Sequence, residues 1–331
     1  MLSKFLNTKT LIILLVILGV IFLITTLTKK EDRTFKSEMV SIDSTRVTKM
    51  VIQPKLGDQG KEVIISKTGN EWKLESDGKT YRPDQTTVNN VLVELVRMRS
   101  ERVAATDESK WKEFEVTDSL ATRIKVFDDE KLMADLYVGK FNYVQPPKGQ
   151  QQNPYQQQNK GKMSTYVRPA GDKEVYVVDG FIKMSIQANV NAYRDKTLFA
   201  CNKDDLTKIT FNYPGAEGFV LSKEGTKWYM NGQPADSLKT SRYLNKLVKV
   251  TSSNFIDEVM PLTSAPTHQV KIEGNNIIPA EISAFPADSV NQYVITSSLI
   301  PDSKYSGTKS GLFERVFAKS TEFLPDEKTG K

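Results

Sequence analysis

The chain contains one nine-residue phrase twice, and this repeat limits what it can fold into more than any other feature. The phrase SKTGNEWKL at 66–74 returns as SKEGTKWYM at 222–230. A repeat at this distance is typical of a duplicated structural unit. Glycine and tryptophan occupy the same places in both copies, and they serve as structural repeat markers: Gly69, Trp72, Gly225 and Trp228.

Similar elements flank both copies of the phrase. Alternating apolar segments precede them, VTKMVI at 47–52 and LTKITF at 206–211, which predicts a strand, a glycine turn with positive φ and a second strand. Asp84 and Asp236 then precede amphipathic stretches and are predicted helix N-caps. Each helix is expected to lie with one apolar face against its own sheet. The two faces consist of Val88, Val91, Leu92, Leu95 and Met98, and of Tyr243, Leu244, Leu247 and Val248.

The correspondence continues downstream, where RIKVF at 123–127 resembles QVKIE at 269–273. A hairpin is predicted to close at Asp128 and Lys131. Further on, the first copy has extra residues, essentially 144–162, which are rich in Gln, Asn, Pro and Gly. This insert has too few apolar side chains to offset the entropy of ordering, so it is predicted to be a flexible hairpin tip. It is either a bland loop or a partner-binding arm that uses Gln150, Tyr155 and Gln157.

The N-terminal region contains an uncharged apolar run at 10–28. Its length suits a helix across the hydrocarbon core of a bilayer, and neither a small-residue cleavage site nor a nearby cysteine follows it. We therefore predict an uncleaved transmembrane signal anchor that contacts the lipid bilayer. The predicted organisation is a short cytoplasmic tail at 1–9, the anchor at 10–28, a linker at 29–45, a first repeat at 46–200, a divergent second repeat at 201–325 and a tail at 326–331.

The composition argues against several function classes. Basic residues exceed acidic ones by a formal +6, but they are interspersed with acids, so no nucleic-acid partner is expected. The lone cysteine, Cys201, rules out an intramolecular disulfide, and the lone histidine, His268, rules out a two-histidine metal site. Neither GxGxxG nor GxxxxGK[ST] occurs, and we expect no cofactor, no metal and no enzyme activity.

Four features keep two interpretations each. Trp72 and Trp228 are core residues or a sugar-binding face. His268 is a loop residue or the centre of a hydrolase. Cys201 is an apolar filler or a nucleophile. Arg194 and Asp195 form an ion pair that closes the first domain, or they carry another role.

The order of the motifs resembles a known bacterial family. A strand, a GxxW strand, a capped helix, KEFEV at 112–116, RIKVF and VYVVD at 175–179 are similar to the domain-of-unknown-function 4340 family. YRDKTLF at 193–199 resembles the Arg-Asp segment that closes such domains, whereas the second copy ends in RVFAKSTEFL without that pair. The resemblance implies an envelope protein with one membrane helix, encoded beside gliding-type ABC transporters. It implies no catalytic residues.

Together these features predict an α+β fold, in which a single N-terminal transmembrane helix precedes two tandem, mainly antiparallel sheet-plus-helix domains. The predicted location is the bacterial inner membrane, with the bulk of the chain on the periplasmic side. The leading functional hypothesis is a non-enzymatic accessory or substrate-docking subunit that binds the permease and ATPase of an ABC-type transport complex. The alternatives are a cell-envelope scaffold or glycan-binding protein, and a hydrolase at His268.

Overall fold

The chain forms two compact units, each assembled from two stretches of sequence. The computed structural model describes residues 15, 17–20, 42–145, 161–180, 182–215, 218–258, 262 and 265–325. Unit 1 comprises Asn90–Ala188 and the described residues up to Gly60. Unit 2 comprises Lys61–Asn89 and the described residues from Asn189 onward. The tandem boundary predicted near residue 200 stays a prediction.

Strands make up most of the described secondary structure. The helices are α1 Gln85–Arg97, α2 Ile182–Ser185, α3 Ser237–Leu247 and α4 Leu312–Val316, and short 3₁₀ turns lie at Glu108–Lys110, Val190–Ala192, Lys203–Asp205, Lys309–Gly311 and Ser320–Phe323. The strands are β1 Lys49–Gln53, β2 Val63–Thr68, β3 Glu71–Ser76, β4 Lys79–Tyr81, β5 Ser100–Ala105, β6 Thr122–Asp128, β7 Lys131–Val144, β8 Lys162–Pro169, β9 Val175–Asp179, β10 Thr197–Ala200, β11 Leu206–Asn212, β12 Phe219–Glu224, β13 Lys227–Met230, β14 Gln233–Pro234, β15 Lys249–Thr251, β16 His268–Gly274, β17 Ala280–Pro286, β18 Tyr293–Ser297 and β19 Tyr305–Ser306.

In unit 1, the strands follow the order β1-β6-β7-β8-β9-β5, and all neighbouring pairs are antiparallel. Strand β6 buries alternate residues, Ile124 and Val126, as a strand with one core-facing side should. The predicted hairpin between β6 and β7 is confirmed, since Asp128 pairs with Lys131 and Asp129 adopts a left-handed φ of 51°. A small core forms around Tyr137 and Val175.

In unit 2, β2, β3 and β4 form consecutive antiparallel hairpins, and a larger sheet has the order β14-β13-β12-β11-β16-β17-β18-β19. The larger sheet buries alternate apolar residues, such as Ile209 and Phe211 of β11, against α3 and α4. The hydroxyl of buried Tyr243 on α3 donates to Val316 O at 2.7 Å, so its one polar group is satisfied. Burial raises the pKa of Tyr243 well above its ordinary value.

The two main helices begin where the sequence predicts. Asp84 accepts hydrogen bonds from the backbone N–H groups of Thr86 and Thr87 at the start of α1. Asp236 accepts one from Lys239 N at 2.8 Å at the start of α3. The predicted apolar face of α1 is buried, and so are the first three predicted residues of the α3 face. Val248, the fourth, is only half-buried as it follows the last turn of α3.

The predicted transmembrane helix is not seen, and the fold class is corrected accordingly. Among the described residues, no helix is long and apolar enough to cross a membrane. Within 10–28, Leu15 and 17–20 are helical and the other positions lie outside the described residues. The length and polarity of an apolar run are compatible with a membrane-spanning helix, but they do not by themselves establish that the helix is continuous. The fold observed consists mainly of antiparallel sheets with a few helices.

Several other predicted segments also lie outside the described residues. They include the tails at 1–9 and 326–331, the linker residues 29–41, and most of the insert at 144–162. The residues of the predicted partner-binding arm, Gln150, Tyr155 and Gln157, are among them.

The two repeated glycines have the positive φ that the sequence predicts. Gly69 has a φ of +62° and Gly225 a φ of +58°, each in a two-residue turn of a hairpin. A residue with a Cβ is strained in this region, even though a Cβ at either glycine would meet open space. The requirement therefore comes from the backbone and not from packing.

Replacing Gly225 with alanine should destabilise the chain by about 1 kcal/mol, because the left-handed turn strains any residue with a Cβ. Urea denaturation followed by circular dichroism measures the free energy of unfolding. The control is Thr226→Ala, an exposed position in the same turn, which should change that free energy by no more than about 0.5 kcal/mol. Equal stability of Gly225→Ala and wild type would contradict the requirement for glycine.

Candidate functional site

A cleft of about 380 Å³ lies beside the second repeated tryptophan. It is bounded by the β12–β13 hairpin, the 3₁₀ turn at Lys203–Asp205 and the first turns of α3. Its volume falls within the range of small-molecule sites. The side chains that give the cleft its chemical character are Lys203, Lys223, Lys227, Trp228, Ser237 and Ser241. We call it the Trp228 cleft.

Trp228 is half-buried at the edge of the unit 2 core. It lies directly opposite Lys223 in the antiparallel pairing of β12 with β13. Within the part of the chain that the structure describes, no group accepts a hydrogen bond from Trp228 Nε1. The indole therefore offers both an apolar surface and a donor to a molecule in the cleft.

The lysines of the cleft are held by neutral oxygens. Lys203 Nζ donates to Ser241 Oγ at 2.7 Å and to Asn245 Oδ1 at 2.9 Å, and Lys223 Nζ donates to the backbone carbonyl of Asp204 at 3.0 Å. No described carboxylate lies within ion-pair distance of Lys203, Lys223 or Lys227. Asp204 is the one acidic residue in the cleft lining, so the lining carries excess positive charge.

The contact between Lys203 and Ser241 resembles a serine–lysine dyad in its distance. A lysine acts as a base only when it is neutral, and burial away from water is what favours that form. Lys203 is half-exposed, and its Nζ donates to two neutral side-chain oxygens, which is not the dry setting that a lysine base needs. We therefore interpret the pair as an element that orients a positive charge.

The first repeated tryptophan is held quite differently. Trp72 is only 4% exposed, and its Nε1 donates to Asn89 Oδ1 at 2.9 Å. Gln85 bonds both backbone groups of Trp72, each at 3.0 Å. The corresponding helix positions of α3 carry the shorter Ser237 and Ser241. The clamp on Trp72 thus has no counterpart at the second tryptophan.

A second cleft, of about 470 Å³, lies at the Trp72 turn, but the single cation in its lining is paired with a carboxylate. Arg82 Nε lies 3.2 Å from Asp195 Oδ2, and both line this cleft. Arg82 Nη1 also donates to Leu299 O at 2.9 Å. With its indole clamped and its cation paired, this cleft offers less to a ligand than the Trp228 cleft.

Arg194 and Asp195, predicted to form an ion pair, each have another partner in the structure. Asp195 pairs with Arg82, and Arg194 Nη1 lies 2.6 Å from Asp257 Oδ1. The guanidinium of Arg194 is 3% exposed and stacks between the rings of Tyr81, at 4.4 Å, and Phe255, at 3.6 Å. Desolvation, followed by the charge of Asp257, raises the pKa of Tyr81. This arrangement is a structural clamp rather than an open site.

His268 lies in a cluster of aromatic rings. Its ring centroid is 4.7 Å from that of Tyr213 and 4.9 Å from that of Phe313, and Tyr293 and Phe317 complete the cluster. Its Nδ1 is 3.0 Å from Thr267 Oγ1. Desolvation lowers the pKa of His268, because burial disfavours the imidazolium. These contacts favour a packing role.

Cys201 and the acidic clusters offer little chemistry. Burial, followed by the charge of Asp205, raises the pKa of the Cys201 thiol, which lowers its reactivity at neutral pH. Asp128, from the acidic run at 128–130, is bonded by Arg46. The described residues contain no group of three His, Cys, Asp or Glu side chains that could hold a metal ion.

Residues 157–271 match the model of a family described as Domain of unknown function (DUF4340). The match supports the resemblance that the sequence motifs indicate, and it covers less than half of the chain. The lysines, serines and tryptophan of the Trp228 cleft all lie within the matched segment, whereas Trp72 precedes it. No curated protein and no solved structure matches the chain.

Sequence reasoning did not find the Trp228 cleft, although one signal for it was present. The change from Gln85 and Asn89 to Ser237 and Ser241 removes the groups that hold the first indole. The approach of Lys203 cannot be seen in the sequence, since its partner Ser241 is distant along the chain. A stack of Arg168 between Trp111, at 3.7 Å, and Tyr137, at 4.1 Å, was missed for the same reason.

Replacing Arg194 with methionine should cost about 2 kcal/mol of unfolding free energy, because it removes two ring contacts and leaves Asp257 unpaired. The matched control is Arg82→Met, whose ion pair is exposed and should contribute less than about 1 kcal/mol. Chemical denaturation measures both. Equal losses in the two variants would contradict the clamp.

The stability of the chain should depend on pH through His268. Because its folded pKa is lowered, the unfolded chain binds a proton at a pH where the folded chain does not. The stabilising contribution is complete above the ordinary pKa of about 6.5 and is lost as pH falls from there to the folded pKa. His268→Phe should flatten the decline between about pH 7 and 5 in urea denaturation. Parallel pH profiles for wild type and variant would contradict this expectation.

Proposed function

We propose that this chain is a non-enzymatic docking subunit of an ABC-type transport complex in the cell envelope, and that the Trp228 cleft holds its ligand. One observation carries the proposal: a half-buried, unclamped indole faces a cleft lined by three lysines. The Trp72 turn lacks this arrangement, because its indole is clamped and the cation of its cleft is paired.

The chemistry of the cleft supports binding more than catalysis. Ser241 Oγ accepts a hydrogen bond from Lys203 Nζ, whereas a serine activated for attack would donate its hydroxyl proton to a base. His268 packs among aromatic rings and is not a member of the cleft lining. A hydrolase at His268 is therefore not favoured. Full retention of transport by the His268→Ala variant would exclude it.

The link to an ABC-type complex rests on the family resemblance and is associational. The family match at 157–271 contains the cleft residues, which supports treating the cleft as part of what the family shares. We also propose that the chain is a tandem duplication. In its support, β1-β6-β7-β8 and β11-β16-β17-β18 are antiparallel ladders of the same order.

A tagged full-length chain should co-purify with a stoichiometric permease and ATPase after mild detergent treatment of the cell envelope. Mass spectrometry identifies the partners. Deleting 145–159 should leave the complex intact, which would distinguish docking from a scaffold that acts through the insert. Trp228→Ala should also keep both partners, because the cleft holds the ligand and not the transporter. Recovery of neither permease nor ATPase across several detergents would overturn the transport proposal.

A further inference from the structure

We infer that the Trp228 cleft takes an acidic saccharide, meaning a sugar unit that carries a carboxylate or a phosphate. The inference rests on the proposed docking function and names the ligand class. Its basis is the juxtaposition of an accessible indole, three lysines without described carboxylate partners, and two serine hydroxyls in one cleft.

The indole supplies the surface for a sugar ring. A pyranose presents C–H groups on its face, and a large planar side chain with one polar edge suits a ligand that is both apolar and hydroxylated. Trp228 packs against the unit 2 core, and Leu244 of that core also lines the cleft. Little side-chain entropy is lost when a ring stacks on an indole that is already held.

The lysines supply the preference for an anion. Lys203 and Lys223 are fixed in position by neutral acceptors, so an incoming anion would not have to displace a carboxylate. The N-terminus of α3 adds a partial positive charge at the same end of the cleft. Asp236 offsets part of it by capping Lys239 N, and Asp204 also lines the cleft. Three lysines still outnumber the one carboxylate in the lining.

The surroundings disfavour an acidic peptide as the occupant. Peptides commonly add a strand to a free sheet edge, but at the cleft Trp228 is paired with Lys223 of β12 on one side, and its backbone carbonyl accepts from Ala235 N at 3.0 Å on the other. A cleft of about 380 Å³ also suits one or two sugar units, with any further unit left in solvent, better than an extended peptide. An acidic saccharide fits both the size and the charge.

The Trp72 turn provides a matched control for the chemistry. Lys67 lies opposite Trp72 in β2, just as Lys223 lies opposite Trp228 in β12. The Lys67 ammonium lies over its clamped indole, with Nζ 5.6 Å from the ring centroid. Lys67→Met therefore removes the same charge from the corresponding position without altering the Trp228 cleft.

The test is isothermal titration calorimetry of the full-length chain with trigalacturonate, its methyl ester, glucose 6-phosphate and glucose. Trigalacturonate should bind at least roughly tenfold more tightly than its uncharged ester, and its affinity should fall with added salt. Lys223→Met and Trp228→Ala should each weaken it by roughly tenfold or more, whereas Lys67→Met should stay within about twofold. Trp228→Phe keeps an aromatic ring, so it provides a second variant for the test if Trp228→Ala misfolds. Binding of glucose 6-phosphate but not glucose would identify a phosphate as sufficient.

The ligand class is overturned if neither acidic probe binds, if the methyl ester binds as tightly as trigalacturonate, or if Lys67→Met weakens binding as much as Lys223→Met. Binding of an acidic peptide as tightly as trigalacturonate would also overturn the ligand class. These failures are distinguishable from failure of the docking function, because permease and ATPase would still co-purify with the tagged chain if only the ligand class were wrong.

Discussion

A tight turn with glycine in the left-handed region determines where each repeated tryptophan lies. The turn reverses the chain within two residues, so the next strand pairs in one register only. That register places Trp72 opposite Lys67 and Trp228 opposite Lys223. The helix that follows has an aspartate as its N-cap, Asp84 or Asp236. The first turns of that helix lie beside the indole. The geometry of both clefts follows from this backbone constraint.

The same backbone supports two different environments because a few helix residues differ. The side-chain amides of Gln85 and Asn89 are long enough to reach Trp72. Gln85 accepts from the backbone N–H of Trp72, and Asn89 accepts from its indole N–H. In the described part of the chain, the serines at the start of α3 accept no hydrogen bond from the Trp228 indole, and Lys203 binds Ser241 instead. A buried indole N–H needs an acceptor, whereas a half-exposed one can remain available to a ligand. Small side-chain changes can thus convert a structural tryptophan into a binding surface without changing the fold.

Local signals in the sequence predicted local structure well. The glycine turns, the N-caps at Asp84 and Asp236 and the buried face of α1 depend on residues close together in the chain, and all are confirmed. Contacts between distant residues were not predictable, since Arg194 pairs with Asp257 and Lys203 with Ser241. The predicted transmembrane helix is not seen, since no described helix is long and apolar enough to cross a membrane and most of 10–28 lies outside the described residues. Turn and cap chemistry can thus be predicted from this sequence, while the site depends on long-range packing.

The most direct measurement is hydrogen exchange of the three indole N–H groups by NMR. Trp72 Nε1 donates to Asn89 and Trp111 Nε1 donates to Lys173 O, both at 2.9 Å, whereas Trp228 Nε1 has no acceptor in the described part of the chain. The account predicts fast exchange for Trp228 alone, and slower exchange for that group once trigalacturonate is added. Protection of the Trp228 indole equal to that of Trp72 in the free chain would contradict an open binding cleft.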